Sequence, residues 1–155
     1  MMSERIAVGI IGCGNIAGPY AADLGNYPEI RLLGVADLDV SRAEALAAAH
    51  GVIAYRGVDA MLADPAIDLE INLTAFPAHY AVTEQSLLAG KHVYSEKPLT
   101  GDYDGARKLV NLAAELGLRL GCSPFTLMGQ AQQTAWKVIR DGRLVATERV
   151  DTLIR

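Results

Sequence analysis

Gly12-Cys13-Gly14-Asn15-Ile16-Ala17 is the stretch of this 155-residue chain that decides its fold. An apolar run rich in β-branched residues, Arg5–Ile11, precedes it, and a helical pattern, Asn15–Gly25, overlaps its end. Each small residue has a separate purpose. Gly12 permits a tight turn, Gly14 lets another molecule approach the backbone, and Ala17 lets the helix pack closely on the strand. The stretch therefore predicts a strand, a tight turn and a helix in succession.

The alternation of strand and helix continues along the whole chain. The predicted strands are Arg5–Ile11, Arg31–Ala36, Val52–Tyr55, Asp68–Thr74, Lys91–Tyr94 and Leu118–Cys122. The predicted helices are Asn15–Gly25, Val40–His50, Val58–Ala63, Ala78–Ala89, Tyr103–Leu116 and Gly129–Arg140. Strands that alternate with helices form parallel sheets with helices on both faces. We predict an α/β fold with a doubly wound parallel sheet, the Rossmann architecture.

One predicted strand departs from the pattern of a buried parallel strand. Leu69-Glu70-Ile71-Asn72-Leu73 alternates apolar and polar residues, whereas a central parallel strand is covered on both faces and is nearly all apolar. Two interpretations are open. Either one face of this strand is partly exposed, or Glu70 and Asn72 have polar partners beneath a helix.

Three polar residues have structural interpretations only. Thr100 is placed to cap the helix Tyr103–Leu116, because a threonine hydroxyl can accept a backbone N–H at the start of a helix. Lys91 and Arg119 lie at the starts of predicted strands, and we expect both side chains to be solvated.

Composition and charge exclude several classes of protein. A hydrophobic share of 51%, a charged share of 21% and a net charge of −4 indicate a globular domain that binds neither nucleic acid nor a membrane. The chain has no signal-peptide pattern, so we expect a cytoplasmic location. Cys13 and Cys122 form no CxxC pair, and His50, His79 and His92 lack metal-ligand spacing. We expect free thiols and no metal.

The glycine stretch, together with one acidic residue, predicts a dinucleotide site. The pattern G-x-G-x-x-A places Gly12, Gly14, Asn15 and Ile16 against a pyrophosphate at a helix N-terminus. Asp37 ends the next predicted strand twenty positions after Ala17, where a carboxylate accepts hydrogen bonds from the adenosine ribose. The carboxylate favours NAD.

A nearby arginine keeps a second cofactor open. Arg42 lies in the first turn of the next predicted helix, and an arginine there can receive the 2′-phosphate of NADP. The simpler interpretation is a solvated helix residue. The sequence therefore predicts NAD, with NADP as the alternative.

Ser95-Glu96-Lys97-Pro98 follows the predicted strand Lys91–Tyr94. In open α/β sheets, ligands bind at the carboxyl ends of the strands, so Glu96 and Lys97 are expected at that edge. A lysine there can carry a proton or hold a charge near the cofactor. Pro98 makes a cis Lys97–Pro98 bond an expectation. The alternative interpretation is a solvated surface turn.

These pieces in this order resemble the Gfo/Idh/MocA family of oxidoreductases. The stretches that carry the resemblance are Ile10–Ala17, Val35–Asp39, Asp68–His79 and Ala89–Leu99. The run Ala-Gly-Lys-His-Val-Tyr-Ser-Glu-Lys-Pro-Leu in the last stretch is the most specific of them. The resemblance extends over roughly residues 5–142.

The resemblance implies roles for residues outside the glycine stretch. Lys97 would sit beside the nicotinamide and the substrate and assist proton transfer at the hydroxyl being oxidised. Glu96 and Pro98 would shape the cofactor pocket, and the loop from Thr74 to His79 would line its nicotinamide side. For His79 itself, a cofactor contact and a purely structural position at the start of its helix are both open.

The resemblance also implies the domain organisation. Residues 1–142 would form the NAD(P)-binding Rossmann domain and residues 143–155 a tail, and the second, β-rich domain of the family is absent from this chain. The expected function is the NAD(P)-binding half of a dehydrogenase that acts on a sugar, polyol or related hydroxyl compound. A non-catalytic NAD-binding or regulatory module is the alternative. We expect no turnover from this chain alone, and self-association as a homo-oligomer is a further expectation.

Overall fold

The computed structural model describes residues 5–123 and 129–143. Two compact units divide the chain, Met1–Ser123 and Pro124–Arg155. The sequence-based domain boundary at residue 142 falls within the second unit, and the proposed tail from residue 144 onward lies outside the described residues. The first unit contains the sheet and the glycine stretch.

The secondary structure follows the predicted order. The strands are β1 (Ile6–Ile11), β2 (Ile30–Ala36), β3 (Ile53–Ala54), β4 (Leu69–Asn72), β5 (His92–Ser95) and β6 (Leu120–Cys122). The α-helices are α1 (Ala17–Leu24), α2 (Val40–His50), α3 (Val58–Leu62), α4 (His79–Leu88), α5 (Tyr103–Glu115) and, in the second unit, α6 (Gln130–Arg140). A short 3-10 helix, Phe76–Ala78, leads into α4. Among these helices of the described residues, none has the length and apolar character needed to cross a membrane.

The six strands are parallel and lie in the order β3-β2-β1-β4-β5-β6. This is the strand order of the doubly wound dinucleotide-binding fold, with its switch point between β1 and β4. The register aligns the carboxyl ends of the strands. Ile11 lies opposite both Ala36 and Asn72, Asn72 lies opposite Ser95, and Ser95 lies opposite Cys122. The loops that follow these strands therefore meet at one edge of the sheet.

Helices cover both faces of the sheet, which confirms the predicted fold class. Val8 and Ile10 point to one face, where small buried alanines of α1 and α2 pack against them. Ile11 points to the other face and packs with Met61 of α3. A third cluster joins α4, α5 and β5. Burial of apolar area of this extent is the main stabilising contribution to such a domain.

The alternating strand β4 is fully covered. Glu70 and Asn72 both have 0% exposure. The Asn72 side-chain amide donates to Thr83 Oγ1 and to the His79 carbonyl, both at 3.1 Å, so Asn72 has partners beneath α4. Within the described residues, neither Glu70 carboxyl oxygen has a hydrogen-bond partner. Burial raises the pKa of Glu70 well above 4.5, so the fold favours the neutral form of this carboxyl group over the charged form.

The prediction for Lys91 was wrong. The Lys91 side chain is buried, and its Nζ donates to the carbonyls of Asp64 (2.7 Å) and Ile67 (2.9 Å). These carbonyls belong to the turn between α3 and β4, and the ammonium group satisfies both. Arg119 is exposed, as expected.

The cap of α5 is Asp102, so the prediction of Thr100 was also wrong. Asp102 Oδ1 accepts the backbone N–H of Gly105 at 2.7 Å, as an N-cap aspartate does. Thr100 Oγ1 instead donates to the carbonyl of Asp102 at 2.5 Å. The threonine therefore braces the capping residue from the preceding turn.

Candidate dinucleotide-binding site

A cleft of about 490 Å³ opens at the carboxyl ends of β1, β2 and β4. Its size lies in the ordinary range for small-molecule and cofactor sites. Seven of the residues predicted from the sequence line it: Gly12, Gly14, Asn15, Ile16, Asp37, Arg42 and Thr74. Apolar side chains such as Leu38, Val58 and Val82 form much of the remaining lining.

Gly12 and Gly14 are required for different reasons. Gly12 has φ +98°, and a Cβ there would lie 2.6 Å from the carbonyl carbon of Leu73. Glycine is therefore required at position 12 by the fold, whether or not a ligand is bound. A Cβ on Gly14 would meet no protein atom within 4 Å. The space beside Gly14 is an open cradle at the start of α1, and a pyrophosphate fits it because the helix N-terminus favours an anion.

The Asp37 carboxylate is held in place by two backbone N–H groups. Oδ2 accepts from Cys13 at 2.6 Å, and Oδ1 accepts from Asp39 at 2.8 Å. These bonds join the glycine turn to the end of β2. A carboxylate has about four acceptor positions, so capacity remains for ribose hydroxyls.

Asp39 and Arg42 lie beside this carboxylate as an ion pair. Arg42 Nε is 3.4 Å from Asp39 Oδ2. Asp39 also caps α2 by accepting the backbone N–H of Ser41 at 3.0 Å. The Ser41 hydroxyl and the Arg42 guanidinium both help to lower the pKa of Asp39. This corner of the site therefore has two carboxylates and one guanidinium.

Cys13, the residue between the two glycines, has a partly buried thiol. Its Sγ donates to the carbonyl of Ala36 at 3.6 Å. Burial raises the pKa of Cys13 to about 11, and the negative charge of Asp37 adds to the effect. The thiol is therefore neutral near pH 7.

The loop after β4 is organised by Asn72. Its Oδ1 accepts from the backbone N–H of Thr74 at 3.2 Å and from Thr74 Oγ1 at 2.6 Å. These bonds orient Thr74 at the edge of the cleft. The other end of the same amide binds α4, so one buried side chain ties the loop to the helix behind it.

His79 lies behind the cleft. The residue is 2% exposed and begins α4. Its Nδ1 lies 2.7 Å from the carbonyl oxygen of Pro98, and its Nε2 lies 2.9 Å from that of Thr74. Among the described residues, His79 is not part of the cleft lining.

The turn Glu96-Lys97-Pro98 follows β5, the strand next to β4. Lys97–Pro98 is a cis peptide bond, as expected from the sequence. Lys97 is exposed, and its backbone N–H donates to Glu96 Oε2 at 2.9 Å. Glu96, Lys97 and Pro98 lie outside the set of described residues that line the cleft. The turn therefore lies beside the cleft, beyond its Thr74 end.

Tyr20 was missed by the sequence analysis. Its hydroxyl donates to Glu96 Oε1 at 2.7 Å and so connects α1 to the turn after β5. Burial raises the pKa of Tyr20 to about 12, and the Glu96 carboxylate contributes. Tyr20 lies three positions after Ala17, which puts both on one side of α1. That spacing could have indicated that the ring faces the sheet.

The described part of the chain brings no three His, Cys, Asp or Glu side chains together as a metal site. The residues that line the cleft lie within the range that a protein-family model matches. The model of the Gfo/Idh/MocA oxidoreductase family, described as an NAD-binding Rossmann fold, matches residues 6–123. This range is well over half of the chain. The chain belongs to the Gfo/Idh/MocA family.

Two relatives that are similar to this chain in sequence act on different compounds, as their names show. Inositol 2-dehydrogenase of Rubrobacter xylanophilus is 35% identical over 119 residues, which are 76% of this chain and 34% of that protein. The dTDP-3,4-didehydro-2,6-dideoxy-alpha-D-glucose 3-reductase of Streptomyces antibioticus is 35% identical over 93% of this chain and 44% of that protein.

A solved family structure has the same fold. The 3-ketoreductase KijD10 of Actinomadura kijaniata, in complex with NADP, superimposes with a TM-score of 0.84 at 28% identity, covering 90% of this chain and 45% of that chain. The chain thus spans less than half the length of these relatives. Its match lies in the domain that binds the nicotinamide cofactor.

Proposed function

We propose that this chain is the NAD(H)-binding half of an oxidoreductase that acts on a hydroxyl or keto group of a sugar, polyol or related compound. The observation that carries the proposal is the open cradle at Gly14 beside the fixed carboxylate of Asp37. Similar proteins act on inositol and on a dTDP-linked deoxysugar. In this proposal residues 1–142 belong to the cofactor-binding half.

The cofactor is held by the loops at the carboxyl edge of the sheet. The backbone from Gly12 to Ile16 binds the pyrophosphate, because the N-terminus of a helix favours an anion. The Asp37 carboxylate accepts hydrogen bonds from the adenosine ribose, and Thr74 borders the nicotinamide end. The shared strand register supports this arrangement, since it aligns the ends of β1, β2 and β4.

Lys97 is the proposed acid/base residue. The bound nicotinamide ring supplies or accepts the hydride. The Lys97 ammonium exchanges a proton with the substrate oxygen, and its positive charge stabilises negative charge that develops there. Glu96 is a positioning residue for this turn, because its two carboxyl oxygens accept from the Tyr20 hydroxyl and from the Lys97 backbone N–H.

NAD is the preferred cofactor in this proposal. A 2′-phosphate on the adenosine ribose would face the Asp37 and Asp39 carboxylates, and the Arg42 guanidinium beside them already pairs with Asp39. Like charges at close range disfavour the phosphate. The exposure of the Arg42–Asp39 pair makes it weak by itself, so the preference depends mainly on Asp37.

Calorimetry with NADH and NADPH tests the proposal. We expect NADH to bind more tightly to the wild type, and Asp37→Ala to weaken NADH by roughly tenfold, the loss expected for a charge-assisted hydrogen bond. Asp37→Ala should also reduce the difference between the affinities for NADH and NADPH. Asp23→Ala, which removes an exposed carboxylate of α1 outside the cleft lining, serves as the matched control. Equal NADH affinity in the wild type and in Asp37→Ala would exclude the ribose assignment.

A further inference from the structure

The imidazole of His79 is a buried polar group that bridges two loops of the site. One ring nitrogen contacts the Thr74 carbonyl, in the loop after β4. The other contacts the Pro98 carbonyl, in the turn after β5. Thr74 borders the cleft, and Pro98 directly follows Lys97. A single side chain therefore links the end of the cleft to the turn that carries the lysine.

Both contacts have hydrogen-bond geometry, and both partners are carbonyl oxygens. The distances of 2.7 and 2.9 Å are those of well-formed bonds. Carbonyl oxygens accept and do not donate, so a ring nitrogen that carries a hydrogen donates to the carbonyl oxygen that it faces. Because the ring is 2% exposed, water cannot readily replace either bond.

Two further contacts hold His79, one at its backbone and one at its ring. Asn72 Nδ2 donates to the backbone carbonyl of His79 at 3.1 Å, which anchors this residue to β4. The Phe76 ring meets the imidazole edge to face, with 5.9 Å between ring centroids. Because the imidazole cannot move freely, its two contacts fix the position of the turn after β5 relative to the loop after β4.

We propose that His79 is a positioning residue that sets the Lys97–Pro98 turn against the Thr74 end of the cleft without touching the cofactor. This inference rests on the proposed function, because Lys97 must lie near the nicotinamide for the distance to matter. Of the two interpretations left open for His79, it takes the structural position at the start of α4 and not the cofactor contact. Without the two bonds, the turn is free to move away from the cleft, and Lys97 no longer lies beside the nicotinamide.

The test compares two ligands that share the adenosine and pyrophosphate parts. ADP-ribose lacks the nicotinamide ring, whereas NADH carries it. We expect His79→Phe, which retains an aromatic ring but no N–H donor, to weaken NADH roughly tenfold and ADP-ribose less than about twofold. His79→Gln retains an N–H donor and should lose less NADH affinity. The fluorescence of bound NADH should shift toward that of free NADH in His79→Phe.

His92→Phe is the matched control. His92 begins β5, and its Nδ1 accepts the backbone N–H of Arg119 at the opposite edge of the sheet. Both affinities should be unchanged in this variant. Equal weakening of NADH and ADP-ribose by His79→Phe would show a general structural role, and no weakening of either would show no role; both results overturn the inference. If His79→Phe lacks a thermal unfolding transition, His79→Gln is judged by the same criterion. A wild type that binds neither ligand refutes the proposed function instead.

Discussion

Glu70 makes the stability of this domain depend on pH in a direction that the structure defines. Glu70 is completely buried on β4, the strand between β1 and β5, and among the described residues its carboxyl oxygens have no hydrogen-bond partner. Burial raises its pKa well above 4.5. The folded state therefore holds this proton more tightly than the unfolded state does.

The size of the effect follows from linkage. Because the folded-state pKa is raised, the contribution of Glu70 is fully present below about pH 4.5 and is lost as pH rises toward the folded-state pKa. The loss is about 1.4 kcal/mol per pH unit. Two pH units within this window therefore reduce the free energy of unfolding by roughly 3 kcal/mol. Domains of this size have total stabilities of about 5–15 kcal/mol, so the loss is a substantial share.

Urea unfolding of wild type and Glu70→Gln at pH 5, 6, 7 and 8 measures this loss. Glutamine keeps the shape of the side chain and does not titrate. We expect the stability of Glu70→Gln relative to wild type to increase by up to about 1.4 kcal/mol for each pH unit. Any cost of burying the amide is a constant offset and leaves this slope unchanged. Glu44→Gln, an exposed change on α2, should run parallel to the wild type. Stability curves of Glu70→Gln and wild type that run parallel from pH 5 to pH 8 would show that the buried carboxyl group does not titrate in this range.

Two further predictions concern the glycine stretch. Gly12→Ala should lower the thermal unfolding midpoint, because its Cβ would overlap Leu73 at a positive φ. Gly14→Ala should unfold like the wild type, since its Cβ meets no protein atom, yet bind NADH at least about tenfold more weakly; wild-type NADH affinity in Gly14→Ala would contradict the cradle. For Cys13, with its pKa raised to about 11, iodoacetamide labelling at pH 8 should be more than about tenfold slower in the folded protein than in urea. Labelling of folded Cys13 at the rate of an exposed thiol would contradict the burial effect.

The local features of this chain were predictable because each depends on neighbours in sequence. The order of strands and helices follows from apolar runs interrupted by glycine, and Asp39 caps α2 as its position before that helix suggests. The tight turn at Gly12 follows from the G-x-G-x-x-A pattern, and the acidic residue at the end of β2 follows from its distance of twenty positions from Ala17. Eleven of the twelve predicted strands and helices differ from the structure by one or two residues at an end, where fraying and capping decide, and α2 matches at both ends.

The incorrect predictions concern side chains whose hydrogen-bond partners could not be identified from the sequence. Lys91 looked solvated because lysine usually is, but its ammonium group reaches carbonyls 24 and 27 positions earlier in the chain. Thr100 looked like a helix cap because of its type, and Asp102 occupies that position. The alternation in β4 left two interpretations open, and only the packing of the folded chain shows the outcome: Asn72 has partners beneath α4, whereas Glu70 is buried and, among the described residues, has none.

The sequence by itself determined the fold class, the cofactor fingerprint and the position of Lys97 in the chain, since these depend on local patterns of residue size, polarity and backbone freedom. The tertiary structure alone decided which of these residues meet. Tyr20 and Glu96 are 76 positions apart, and no local pattern connects them. The parallel register aligns the strand ends, and the bridge through His79 then joins two loops that follow different strands. Such contacts depend on side chains packing from both sides of a sheet, which is a property of the folded chain as a whole.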